Sequence, residues 1–352
     1  MAGRGRTICI ANQKGGVAKT TTAVNLAAAL ALRGHRILVV DIDPQANATT
    51  GLGLDHRSLA TSAYDLMLGD GELDDIIVET AIKGLDCVPS TPDLAGAEVE
   101  LVSEMEREQR LGDALKPVSS RYDLIFLDCP PSLGLLTVNA LAAAQDLIVP
   151  VQCEYYALEG LGQLLGNAER VRRALNPGLR IAGFLMTMYD ARTKLSSQVA
   201  DEVRSHFGDL VFGTVIPRSV RLSEAPSFGE PVLTLDPSSR GSIAYRLLAA
   251  EVEARYRLEP HVPPPPPPSS PPPAPTAPPA TPSSATPPAA TPPAATPPDR
   301  PAIVRSAPGP GGRGYGTTTQ APKGLDTAWP PRNVWDRPAG ATGSDRETEV
   351  ER

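Results

Sequence analysis

Near the amino terminus stand eight residues, Lys14-Gly15-Gly16-Val17-Ala18-Lys19-Thr20-Thr21, whose types suit the holding of a row of phosphates. Glycines let backbone N–H groups turn inward and come close to phosphate oxygens. A helix that begins where the loop ends presents its positive dipole end to the same anion. Lys19 supplies a full charge at the β- and γ-phosphates, and the Thr20 hydroxyl can ligate Mg2+. The usual order of such a loop is G-x-x-x-x-G-K-[ST]. In that frame Gln13 stands at the first glycine and Ala18 at the last, while an extra Lys14 stands near the start. If the backbone at Ala18 needs a positive φ, alanine costs about 1 kcal/mol or more there. At a negative φ it is harmless.

Two acidic segments follow apolar runs, Asp41-Ile42-Asp43-Pro44-Gln45 and Leu127-Asp128-Cys129-Pro130-Pro131. A carboxylate at a strand's end beside a phosphate loop can hold Mg2+ directly or through water. Taken singly, each aspartate reads as an ordinary loop or capping residue. Their order after the phosphate loop is what points to a nucleotide site.

Such residues need elements to position them. Thr7–Ala11, Ile37–Asp41, Leu85–Val88, Leu124–Asp128, Leu147–Val151, Ile181–Thr187 and Val211–Ile216 read as strands. Helical spacing covers Thr20–Arg33, with Gly34 as its stop, then Glu98–Leu115, Leu135–Ala144, Leu158–Leu175, Ser196–Phe207 and Gly241–Tyr256. Weaker helical patterns lie at Ala63–Leu68 and Leu73–Val78. Strands without polar alternation, separated by helices, predict an α/β fold with a doubly wound, mostly parallel sheet. Ligands in such folds sit at the carboxyl ends of the strands, where the singled-out residues lie.

Composition divides the 352 residues in two. Twelve of the 39 prolines fall in residues 1–258 and the other 27 in residues 259–352. The first part can bury one sizeable core; the second, rich in Pro, Ala and Thr, offers little to bury and is expected to be a disordered tail. The net charge of −7 lies wholly in the first part, because the tail carries equal numbers of acidic and basic residues. That excludes a uniformly basic nucleic-acid binder and leaves only a local basic patch, or one assembled by dimerisation. Cys9, Cys87, Cys129 and Cys153 form no C-x-x-C pair and read as buried, reduced thiols. The four histidines are scattered and suggest no metal cluster. The start of the chain lacks a signal peptide's apolar stretch, and no apolar run reaches the length of about 18 residues that spans a membrane. A cytoplasmic protein is expected.

The loop with its extra lysine resembles the deviant Walker A motif of the ParA/MinD group. Asp41-Ile42-Asp43-Pro44-Gln45, Pro131-Ser132-Leu133-Gly134, Val149–Gly160 and Ile216–Ser227 are similar to the ParA/Soj chromosome-partitioning branch, and the resemblance covers residues 7–256. It implies a P-loop ATPase that uses ATP and Mg2+ and closes into a homodimer, with Lys14 reaching across to the partner's nucleotide and Lys19 in the ordinary phosphate role. It casts Asp43 as the residue that positions or activates the attacking water, Asp41 as support for the metal, Asp128 as the Walker B carboxylate, and Pro217 as a contact of the adenine. In Soj-like proteins, arginines matching Arg192 and Arg221 bind DNA without reading its sequence, and Arg218 lies beside them. Guanidinium groups pair with phosphates and take no base information from that contact. The bland alternative for these arginines is surface or intersubunit ion pairs. The resemblance further implies a ParB-like partner that stimulates slow hydrolysis, and association with the nucleoid.

Four rivals share the loop. An electron-transfer ATPase like the nitrogenase iron protein would need cluster-ligating cysteines, and Cys129 and Cys153 are not evidently arranged for that. A MinD-like cell-division regulator would end in an amphipathic membrane helix, whereas this chain ends in Asp345-Arg-Glu-Thr-Glu-Val-Glu-Arg352, which has no apolar face. A ParA-like ATPase that positions a non-DNA cargo stays open. A metabolic ATP-dependent synthetase would need a further acid/base constellation, and none is evident. Both tryptophans lie in the tail, and the segment Trp329–Trp335 is a candidate docking motif behind a proline spacer.

Overall fold

The computed structural model describes residues 5–154 and 157–261. The tail beyond His261, with its proline run and Trp329–Trp335, lies outside the described residues, as do Tyr155 and Tyr156.

In chain order the elements are β1 (Arg6–Ile10), α1 (Lys19–Ala31), β2 (Ile37–Asp41), α2 (Asn47–Gly51), α3 (Ala63–Leu68), α4 (Leu73–Ile76), β3 (Val78–Glu79), β4 (Leu85–Val88), α5 (Leu94–Glu100) and α6 (Arg110–Leu115). Then come β5 (Leu124–Asp128), α7 (Leu135–Ala143), β6 (Asp146–Gln152), α8 (Ala157–Ala174), β7 (Arg180–Thr187), α9 (Lys194–Phe207), α10 (Val220–Glu224), α11 (Val232–Leu235) and α12 (Arg240–Tyr256). The sheet runs β3-β4-β2-β5-β1-β6-β7, parallel except for the short edge strand β3. This is the doubly wound sheet the sequence predicts.

The central strands β2 and β5 are apolar up to their terminal aspartates because both faces are covered. Along β2 and β5, Leu38, Val40, Ile125 and Leu127 belong to one buried cluster, and Ile37, Val39, Leu124 and Phe126 to the other. Alternate residues thus serve opposite faces, and a side chain such as Phe126, with no exposed area, would cost about 3–5 kcal/mol to truncate to alanine. The three strands that carry the chemistry are neighbours. Asp41 and Ile10 are both in register with Asp128, so the phosphate loop and two acidic strand ends open on one edge of the sheet.

Three expectations need correction. Glu98–Leu115 is not one helix. It breaks into the end of α5, a 3-10 turn at Leu101–Ser103 and α6, with Glu106 at a left-handed φ of 56°. None of residues 102–110 is buried, so no packing holds that stretch helical. Val211–Ile216 is not a strand. It lies beside β7 through two isolated bridges, Phe184 with Val211 and Tyr189 with Pro217. Between them the Gly213 and Thr214 N–H groups donate to the Glu251 carboxylate on α12 at 2.9 and 3.0 Å, so they are unavailable for a ladder. The helix expected over Leu73–Val78 ends at Ile76, and Val78 opens β3.

Candidate nucleotide site

The phosphate loop is fastened at both ends by residues that the sequence did not single out. Asn12, just past β1, donates its side-chain amide to the Pro150 carbonyl on β6 at 2.7 Å and accepts from the Lys14 N–H at 3.0 Å. The Thr187 hydroxyl at the end of β7 donates to the Val17 carbonyl at 3.0 Å. Between these ties Gly16 takes φ 73°, and just past them Ala18 takes φ 69°, ψ 36°. The question left by the missing glycine is therefore answered: position 18 does need the left-handed conformation, and alanine bears the cost.

Lys19 opens α1 and is 6% exposed. Its ammonium reaches back to the Lys14 carbonyl at 3.4 Å, and burial pushes its pKa down against the pull of Asp128, Cys129 and Asp43. Lys14 is half-buried and makes an ion pair with Glu154 at 3.5 Å. Gly15, Gly16, Ala18, Lys19, Thr20, Thr21 and Asp43 line a cleft of about 390 Å3 with Pro131. Its remaining wall includes Met188, Ala225, Pro226 and Glu230. Pro217 sits one β-bridge away from that wall, on Tyr189, and is not among the lining residues.

The two strand-end carboxylates differ sharply. Asp41 is fully buried and has both oxygens engaged: Oδ2 accepts from the Thr49 N–H at 2.8 Å and the Thr49 hydroxyl at 2.7 Å, and Oδ1 accepts from the Asp43 N–H at 3.1 Å. Burial raises its pKa to about 6 although these donors oppose it. Asp128 is equally buried, and neither of its oxygens has a hydrogen bond of ordinary geometry. Burial first, and the Asp41 charge second, push its pKa well up; the Thr20 hydroxyl and the Lys19 ammonium pull the other way. A buried carboxylate with no hydrogen bond of ordinary geometry, flanked by a threonine hydroxyl, suits a hard divalent cation. Among the described residues no three His, Cys, Asp or Glu side chains converge on one point, so such a cation would take its other ligands from phosphate and water. The residues present therefore fit Mg2+ held with a nucleotide.

Arg192 and Arg218 flank Asp190, while Arg221 lies three residues beyond Arg218, in the first turn of α10. The Arg192 guanidinium is exposed and bidentate to Asp190 at 2.9 and 2.7 Å, which holds that carboxyl down at about 2. Arg221 pairs with Glu224 at 3.1 Å and Asp236 at 3.4 Å. Arg218 is exposed, and its N–H donates to the Tyr189 carbonyl at 3.0 Å.

A phosphate loop, its lysine and a buried acidic strand end beside the loop's threonine, on a doubly wound parallel sheet, define a P-loop ATPase. Comparison with known proteins agrees. The AAA domain family matches residues 5–181. The sporulation initiation inhibitor protein Soj of Bacillus subtilis is 56% identical over 250 residues, 71% of this chain and 99% of that protein. The chromosome partitioning protein ParA of Myxococcus xanthus is 52% identical over 251 residues, 71% of this chain and 89% of the other. Among solved structures, cobyrinic acid a,c-diamide synthase from Mycobacterium smegmatis, with an ATP analogue and magnesium bound, is 40% identical, with a TM-score of 0.64, covering 72% of this chain and 96% of that one. The septum site-determining protein MinD of Pyrococcus horikoshii, complexed with Mg-ADP, is 28% identical, with a TM-score of 0.58, covering 70% and 96%. The chain belongs to the ParA/Soj family of chromosome-partitioning ATPases. No helix among the described residues is long and apolar enough to cross a membrane.

Proposed function

We propose that this ATPase couples ATP binding to dimerisation and to sequence-independent DNA binding, and so partitions DNA. The observation that carries the nucleotide half is the fully buried Asp128 beside Thr20 and Lys19, neither of whose oxygens has a hydrogen bond of ordinary geometry. ATP binds with Mg2+ in the cleft, with Lys19 and the loop N–H groups on the phosphates and Thr20 and Asp128 on the metal side. Bound Mg2+ supplies charge neutralisation at the β- and γ-phosphates. Asp43 orients the attacking water. Lys14 leaves Glu154, an exposed pair of small worth, and reaches the nucleotide of a second subunit closing face to face. Hydrolysis is slow until a ParB-like partner stimulates it, and the dimer then parts. Residues 1–258 make up the ATPase domain and residues 259–352 a tail, and the protein works in the cytoplasm on the nucleoid.

For DNA, Arg192, Arg218 and Arg221 are exposed, and the first two share Asp190 as a neighbour, which supports the reading. Two of them are engaged with carboxylates in the isolated chain, so phosphates must replace Asp190, Glu224 and Asp236 as partners. Few contacts per subunit make the dimer the binding unit. The experiment is binding to nonspecific duplex DNA without nucleotide, with ADP and with ATP. Binding with ATP alone, falling with salt and lost in Arg221→Glu, is the expected result. ATP binding with no DNA binding in any state would move the reading to a non-DNA cargo. The name of the M. smegmatis protein favours a second reading, an ATP-dependent synthetase. The 56% identity to Soj and the exposed arginines favour partitioning.

A further inference from the structure

The loop that carries Asp43 is strained and needs an anchor. Ala46, three residues on, sits at φ 53°, a conformation that costs a non-glycine residue about 1–2 kcal/mol. The anchor is Thr49 on α2, which is fully buried. Its N–H and hydroxyl both donate to Asp41 Oδ2, and its hydroxyl oxygen accepts from the Ser90 N–H beyond β4 at 2.8 Å. Asp41 Oδ1 in turn accepts from the Asp43 N–H. One unbroken chain of hydrogen bonds therefore runs from Ser90 through Thr49 and Asp41 to the backbone of Asp43. Its middle link must donate in one direction and accept in the other, which a hydroxyl does and a methyl cannot. The next link is fixed as well: Asp43 lines the cleft, and its Oδ1 accepts from the Gln45 N–H at 3.0 Å.

Asp41 and Asp128 share a register position, yet they are used differently. Asp128 keeps its lone pairs for a ligand, whereas those of Asp41 are occupied by protein donors. We propose that Thr49 is a positioning residue for ATP hydrolysis, fixing through Asp41 the place from which the Asp43 carboxylate meets the attacking water. This rests on the reading of Asp43 given above.

The test uses the full-length chain and four variants: Thr49→Val, which keeps the shape and removes the hydroxyl; Thr49→Ala, in case valine does not fold; Thr49→Ser, which keeps the hydroxyl; and Asp43→Asn. Single-turnover hydrolysis at saturating Mg-ATP gives the rate, and a fluorescent ATP analogue gives the affinity. In the folded hydroxyl-free variant the rate should fall about tenfold to a hundredfold, the range for a reacting group displaced by about 1 Å. Nucleotide affinity should stay within about twofold, and Thr49→Ser should restore the rate, because only the hydroxyl's own bonds are at stake. A rate within about twofold of wild type without the hydroxyl would overturn the proposal. So would rate and affinity falling together with no recovery in Thr49→Ser, which is the mark of a purely structural residue. Asp43→Asn separates the two ideas: if it hydrolyses ATP normally, the role given to Asp43 is what fails.

Discussion

Replacing Ala18 by glycine should make this protein more stable. Ala18 is held at φ 69°, ψ 36°, where a Cβ costs about 1–2 kcal/mol and glycine pays nothing. Glycine gives back about 0.4–1 kcal/mol through its greater freedom in the unfolded chain. The net gain is centred on about 0.8 kcal/mol, within a span of about 0–1.6, which for a domain of this size is a rise of about 2–3 °C in Tm at the centre. Two neighbours serve as controls, because a Cβ built on either meets nothing within 4 Å. Gly16 sits at φ 73°, so Gly16→Ala should lose about 1 kcal/mol or more from backbone strain alone. Gly15 is not at a positive φ, so Gly15→Ala should leave stability unchanged or slightly raised. The assay is urea or thermal unfolding of the nucleotide-free protein, with the three variants side by side. Loss of stability in Ala18→Gly, or no loss in Gly16→Ala, would refute the conformational account.

Asp128→Asn should leave the nucleotide-free protein at or above wild-type stability, because burial and the Asp41 charge oppose the carboxylate more than Thr20 and Lys19 favour it, while abolishing the part of ATP's stabilisation that requires Mg2+. That part is read as the difference in Tm between Mg-ATP and ATP with EDTA, about 2.7 kcal/mol being available at a hundredfold excess over Kd. The thiols give a pH prediction. Burial raises Cys153 to about 12 and pushes Cys87 and Cys129 well up, so thiolate is absent from all three across the neutral range and appears only as the pH climbs past those raised values. An aromatic disulfide reagent at pH 8 should leave them unlabelled in the native protein and label them at once in denaturant; rapid native labelling would contradict the burial described.

What could be read in the sequence follows from what each feature depends on. The strands Ile37–Asp41 and Leu124–Asp128 were legible because both faces are buried, which makes them continuously apolar, and their ends were legible because aspartate is out of place there. Lys19, Thr20, Asp43 and Asp128 were singled out from residue type and order. The different status of Asp41 was not, since it turns on Thr49 in α2, whose Asn-Ala-Thr-Thr-Gly reads as loop and shows no apolar spacing. Asn12 and Thr187 were missed for a related reason. Their partners, Pro150 and Val17, are far off in sequence and become neighbours only once β1, β6 and β7 lie side by side. The tie of Gly213 and Thr214 to Glu251 likewise depends on where α12 packs, and a run of apolar residues from Val211 to Ile216 carries no sign of it.

The last described residue has a practical consequence. The His261 N–H donates to the Gly34 carbonyl at 3.1 Å, and its ring lies 3.0 Å from Asp123. Gly34 and Asp123 precede β2 and β5, so the chain is pinned at the amino ends of the strands, with a five-residue strand, about 17 Å, separating it from the nucleotide edge. A fluorescent label or affinity handle placed directly after His261 is thereby moored on the side of the sheet facing away from the cleft. It can report on the molecule without standing in the path of ATP.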